Sequence, residues 1–101
     1  MSSDVMHDSA NGITAQTRPF VGRGFRLQWE PAQNSHVLLY PEGMVKLNGS
    51  AGEIVSRCDG KRTLDEIVAD LESAFNATGL SSEVADFVAF AVEKKWLEIR
   101  P

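Results

Sequence analysis

This chain has one cysteine, two histidines, no long apolar run and no excess of positive charge. Each shortage excludes something. The lone Cys58 cannot form an internal disulfide, and it falls on an apolar helical stripe, so it is expected to be a small core residue. No apolar run reaches the roughly 18 residues of a membrane span. The opening MSSDVMHDSANG has neither a basic start nor an apolar centre, so it does not read as a secretory signal. His7 stands alone in that polar opening, and His36 is expected to be an exposed strand residue rather than a base, so no metal-ligand spacing exists. There is no Gly-rich phosphate loop and no Ser-His-Asp set. A dedicated enzyme needs several polar groups converging on a cleft, and none is written here. The net charge of −4 argues against nonspecific nucleic-acid binding, which draws on many Lys and Arg contacts to phosphate. The absence of disulfides fits a cytoplasmic protein, and no cofactor is implied by any of these residues.

What is present concentrates in Met44–Val68. Met44–Leu47 has the pattern of a short strand. Ala51, Ile54, Val55 and Cys58 then recur at the spacing of one helix face. Ser50 and Glu53 have capping-box spacing, which starts this helix near Asn48–Ser50, and Asp59-Gly60 stops it. Thr63 and Glu66 form a second capping box, followed by the stripe Leu64, Ile67, Val68, Leu71 and Phe75.

Upstream, residues 1–17 are polar and aperiodic and are expected to be a disordered tail, leaving 18–101 as a single domain. Residues 18–24 form an extended segment able to anchor through Phe20 and Val21. Phe25, Leu27 and Trp29 alternate with polar residues as a half-buried strand. His36–Tyr40, apolar on both faces, is the expected central strand, and Pro41-Glu42-Gly43 turns it into the third, which should lie at the sheet's edge. Downstream, Ser81 or Ser82 is expected to cap a last helix running to about Lys95. Its apolar residues cover most of its circumference, so part of it should face a groove or a partner. Leu97 and Ile99 are expected to close the chain as a short extended tail. The fold class is therefore α+β, three antiparallel strands followed by three helices.

Leu47-Asn48, Ser50-Ala51, Ile54-Val55, Cys58-Asp59-Gly60, Arg62-Thr63 and Glu66-Ile67 together resemble the signature of the PqqD family of pyrroloquinoline quinone (PQQ) biosynthesis. Arg18-Pro19, Gly22, Phe25-Arg26-Leu27, Trp29 and Leu38-Leu39-Tyr40-Pro41-Glu42-Gly43 resemble its opening, and Val84, Phe87-Val88 and Trp96-Leu97 its last helix. The sequence departs from the family at Ser50, where Thr is more usual, at Gly52 inside a helical turn, and at Lys95, where Gly is common.

The resemblance implies a winged helix-turn-helix-like fold and a non-catalytic peptide chaperone. Such a protein binds the precursor peptide PqqA and presents it to PqqE, a radical S-adenosylmethionine enzyme that joins a Glu to a Tyr and carries the iron–sulfur cofactors itself. It implies that the peptide adds as a strand beside the third strand and lies against the last helix. The residues expected to carry this are Val45, Lys46 and Leu47 on the strand, with Phe87, Phe90, Ala91 and Lys94 as groove wall. Plain core packing would equally explain Phe87 and Ala91. Arg57, Asp59, Lys61 and Arg62, on the turn between the helices, are candidate contacts to PqqE, although a capped turn needs no function. Two other classes fit the same architecture. A recognition domain for a different modified peptide is one. A DNA reader is the other, but residues 81–93 carry three acids and no Lys or Arg, the wrong charge for a recognition helix. An exposed edge strand allows either a monomer or a strand-swapped homodimer.

Overall fold

The computed structural model describes residues 12–100. Eight elements follow one another: β1 (Arg18–Val21), β2 (Arg26–Glu30), β3 (Ser35–Tyr40), β4 (Gly43–Lys46), α1 (Gly49–Val55), α2 (Leu64–Ala74), α3 (Ser81–Glu93) and β5 (Leu97–Arg100). The expected α+β meander is present: β2, β3 and β4 form an antiparallel sheet with β3 in the middle and β4 at an edge. Val37 and Leu38 are wholly buried, as a central strand apolar on both faces requires.

A second sheet was not expected. β1 pairs antiparallel with β5, matching Arg18 to Arg100 and Val21 to Leu97. The two segments read from sequence as loose extended pieces are therefore one ribbon that ties the ends of the domain together. Gly22 continues this join, its N–H donating to the Trp96 carbonyl at 2.7 Å.

The tail expected over residues 1–17 needs correction in its last part; residues 1–11 lie outside the described residues. Ile13 is buried in the core cluster and Thr17 is buried beside it. The Thr17 carbonyl accepts from Leu64 N at 2.7 Å and the Ala15 carbonyl from Asp65 N at 3.0 Å. Those are the first two amide donors of α2, which no residue of the helix itself can satisfy. The third, Glu66 N, bonds Thr63 Oγ1 at 3.1 Å, while Glu66 Oε1 accepts from Thr63 N. The capping box read from sequence thus forms, and the segment before β1 completes it.

The other two caps differ from expectation. The helix starts within the expected Asn48–Ser50, but its cap is Asn48, two residues before Ser50: Asn48 has the extended backbone of a cap and its Oδ1 accepts from Ala51 N at 2.8 Å, whereas Ser50 already lies inside α1. No side chain among the described residues caps α3, whose cap residue is Leu80; Glu72 of α2 accepts the Leu80 N–H instead, at 2.9 Å.

The helices pack their stripes on one core of Leu38, Leu47, Ile54, Val55, Leu64, Ile67, Leu71, Val84, Val88 and Leu97. Cys58 belongs to it, with its thiol donating to the Ile54 carbonyl at 3.2 Å. Burial first, then the nearby Asp59 charge, pushes this thiol's pKa up to about 12. Gly52 has a local reason: a Cβ there would lie 2.8 Å from Nδ1 and 3.2 Å from Cβ of His36, so Gly lets α1 lie against that side chain without displacing it. His36 is consequently half-buried rather than exposed, wedged between α1 and the Trp29 ring, whose centroid is 5.0 Å away. Phe75, expected in the α2 stripe, is instead 54% exposed, because α2 ends at Ala74 and the ring turns outward beneath the Arg57 guanidinium.

Candidate functional site

The site is built from one open strand edge and one groove. Among the described residues, β4 pairs with β3 on one side only. Leu47 N donates to the His36 carbonyl at 3.0 Å, which marks the His36–Leu47 pair as hydrogen-bonded. Antiparallel pairs alternate, so Val45 also directs its N–H and C=O toward β3. Met44 and Lys46 direct theirs to the free edge. Both side chains are exposed as well, while Val45 packs partly onto the core.

Immediately past β4 the chain enters the rim of a groove of about 650 Å³. Asn48, Gly49 and Ser50 form its mouth. Its walls are Ile54 from α1, Leu71 and Phe75 from α2, and Leu80, Val84 and Phe87 from the start of α3. The remaining lining includes Glu53 and Glu83, and no Lys or Arg. A groove of this size, mostly apolar with a few polar groups, has the make-up of a binding site for a small molecule or a peptide side chain. Among the described residues there is no cluster of His, Cys, Asp or Glu able to hold a metal ion.

The residues singled out from sequence separate on this geometry. Lys46 lies on the free edge and Phe87 in the groove wall. Leu47 lies beyond β4 and is 2% exposed, and Ala91 is wholly buried under α3. Neither side chain is accessible, because both point from their backbones into the core. Phe90 is 45% exposed and belongs to an aromatic cluster, 6.5 Å from the Phe87 ring and 5.4 Å from Trp96, with Lys94 Nζ 5.5 Å from its centroid. Sequence reading missed Met44, whose backbone faces the edge, and the α1–α2 side of the groove. Alternation from Leu47 inward, counted by hydrogen-bonded pairs rather than by side chains, would have found Met44.

The turn between α1 and α2 is held from within. Asp59 Oδ1 accepts from Lys61 N and Arg62 N, both at 2.9 Å. These bonds hold the Asp59 carboxyl below its ordinary pKa. Gly60 takes φ +78° and its N–H bonds the Pro19 carbonyl, so the turn docks on β1. Burial opposes the charge on Arg57, but hydrogen bonds to Glu53 and Asp70 outweigh it and raise its pKa. Of the four turn residues, Arg57 and Asp59 thus have structural work; Asp59, Lys61 and Arg62 are exposed, and the Arg62 guanidinium lies 3.9 Å from the carboxylates of Asp59 and Asp70.

Comparison with known proteins gives the geometry a context. Residues 35–97 match the family described as coenzyme PQQ synthesis protein D (PqqD). A protein of Stutzerimonas stutzeri named "PqqA binding protein" is 53% identical over 81% of this chain and 90% of its own length. One of the same name from Pseudomonas syringae pv. tomato is 45% identical over 98% of this chain and 99% of its own. The solution structure of the PqqD truncation of Methylobacterium extorquens PqqCD, described as a stand-alone recognition element for ribosomally made, post-translationally modified peptides, is similar at a TM-score of 0.66. It shares 29% identity, covering 79% of this chain and 87% of that one. The fold, the spacing of its caps and turns, and these matches agree, and the chain belongs to the PqqD family.

Proposed function

We propose that this chain is a non-catalytic peptide chaperone of PQQ biosynthesis, which binds PqqA by strand addition to β4 and presents it to the radical enzyme PqqE in the cytoplasm. The observation that carries this reading is the edge of β4, where the N–H and C=O groups of Met44 and Lys46 have no partner strand among the described residues. An extended peptide can supply the missing hydrogen bonds, and neighbouring pockets then select its side chains. The relatives named PqqA binding proteins support PqqA as the ligand. Phe87 and Phe90 on α3, with Lys94 just past its end, offer apolar area and a cation to that ligand, and Lys61 and Arg62 offer PqqE a charged contact. Strand exchange through the same edge is the route by which two copies would dimerise; light scattering across a concentration series distinguishes that dimer from the monomer.

The test is an NMR titration of labelled protein with a synthetic PqqA peptide, repeated with Lys46→Pro. Proline removes the edge-facing N–H and leaves the β3–β4 bonds intact, a substitution that edge strands tolerate. Saturable shifts at residues 43–47 and at Phe87 are expected, with affinity reduced about tenfold or more in Lys46→Pro. No shifts, with or without PqqE, would refute peptide binding. Undiminished affinity in Lys46→Pro would refute strand addition.

A further inference from the structure

The groove between the three helices contains no β4 residue, yet it opens directly beyond that strand. Asn48, at its mouth, follows Lys46 by two residues, a distance of roughly 7 Å along an extended chain. Whichever way an added strand runs, one of its ends leaves beside Lys46. Two or three further peptide residues reach the groove.

The chemistry of the groove limits what those residues can be. Ile54, Leu71, Leu80 and Phe87 make its walls apolar, and half of the Phe75 ring is left exposed at its border. Its two charged groups are both acidic. Glu53 is already engaged, 2.8 Å from Arg57 Nη1. Glu83, exposed in the first turn of α3, makes no ion pair among the described residues. A carboxylate beside an apolar cavity that no cation lines favours a positively charged neighbour for whatever fills the cavity.

We propose that this groove is a second recognition subsite, which takes a large apolar side chain adjacent to a Lys or Arg from the part of the bound peptide that runs past the β4-paired strand, with Glu83 reading the cation. This rests on the peptide-binding reading above. The apolar walls supply affinity and Glu83 supplies selectivity and register: a peptide shifted by one residue would bring its cation to the apolar wall and its apolar side chain to the carboxylate.

The experiment is fluorescence anisotropy with a labelled synthetic PqqA peptide and a set of its variants in which each Lys or Arg is replaced by norleucine. Glu83→Gln is expected to weaken binding about two- to fivefold and Glu83→Lys about tenfold, both losses shrinking at high salt. One norleucine peptide should bind wild type and Glu83→Gln alike, which identifies the cation. Leu80→Ala should weaken binding about tenfold without salt dependence, with its thermal melt confirming the fold. If Glu83→Lys and Leu80→Ala both bind as wild type while Lys46→Pro does not, the groove is unused and the subsite is refuted with strand addition intact. If Lys46→Pro also binds as wild type, the underlying reading falls instead.

Discussion

Replacing Gly22 by Ala is the sharpest single perturbation the fold allows. Gly22 lies where the β1–β5 ribbon meets the end of α3. A Cβ built there would sit 2.2 Å from the Lys95 carbonyl oxygen and 3.2 Å from that of Trp96. Both are backbone atoms, so no side-chain rotation can relieve the clash. Restoring ordinary contact requires the two segments to part by roughly 1 Å, which costs about 1–3 kcal/mol as overpacking. The same movement breaks the Gly22 N–H bond to Trp96, worth about 1 kcal/mol net. Reduced freedom of the unfolded chain returns about 0.4–1 kcal/mol. The expected loss is about 2–3 kcal/mol, or a melting temperature lower by about 10 °C or more. Urea unfolding followed by tryptophan fluorescence measures it. Gly49→Ala is the control: its Cβ meets nothing within 4 Å, and it opens α1, so stability should be unchanged or slightly higher. A Gly22→Ala variant within about 0.5 kcal/mol of the parent would refute the close approach.

Four further outcomes are expected. Lys95 holds φ +70° just beyond α3, where Lys95 N bonds the Val92 carbonyl and Trp96 N the Ala91 carbonyl, a Schellman stop that favours Gly; Lys95→Gly should stabilise by about 1 kcal/mol in the same urea assay. Cys58, with a buried thiol whose pKa is pushed up to about 12, should resist iodoacetamide at pH 8 until the protein unfolds, and modification rates should track urea concentration. Because the folded state holds that thiol proton more tightly than the unfolded chain, stability should also fall as pH rises past about 9 toward about 12, a decline that Cys58→Ala removes. Asp59 is lowered by amide hydrogen bonds and Asp70 by its hydrogen bond from Arg57, so both contribute stability above the ordinary carboxyl value of 3.8 that is lost as pH falls through their lower folded values. Asp59→Asn, which keeps an acceptor but no charge, should flatten that acid limb in a pH series of thermal melts.

What could be read from the sequence was local. The α2 start was legible because Thr63 and Glu66 are three residues apart and satisfy each other. The central strand was legible because Val37 and Leu38 leave no wet face. The α1 cap was misplaced because Asn48 and Ser50 both offer an oxygen, and backbone geometry, not spacing, decides between them. The β1–β5 ribbon was missed because four-residue strands carry almost no periodicity and their partners lie at opposite ends of the chain. The candidate site was legible only in part, for another reason. Ile54, Leu71 and Val84 each read as core on their own helices, and only the meeting of three helices turns their edges into a groove wall. Leu47, expected for strand pairing, and Ala91, which core packing explained equally well as a groove wall, are both buried, because the pattern fixes a face but not the depth at which it lies.

The geometry also says why an open edge alone would be a poor receptor. β4 is four residues long, and only Met44 and Lys46 face outward. Their N–H and C=O groups can make at most about four hydrogen bonds with a guest strand, worth about 4 kcal/mol together at a net 1 kcal/mol each. That corresponds to millimolar binding before the cost of ordering the peptide is subtracted. Backbone pairing along so short an edge carrying a Lys likewise gives a second copy of the chain little to hold. A guest that binds usefully must draw the rest of its affinity from side chains. On the proposed reading, the exposed aromatic cluster around Phe90 and the groove beside Glu83 would supply it. Backbone pairing would then set the direction of the peptide while the helices choose its sequence, and weakening either part should cost more than its own contacts, since each holds the peptide in place for the other.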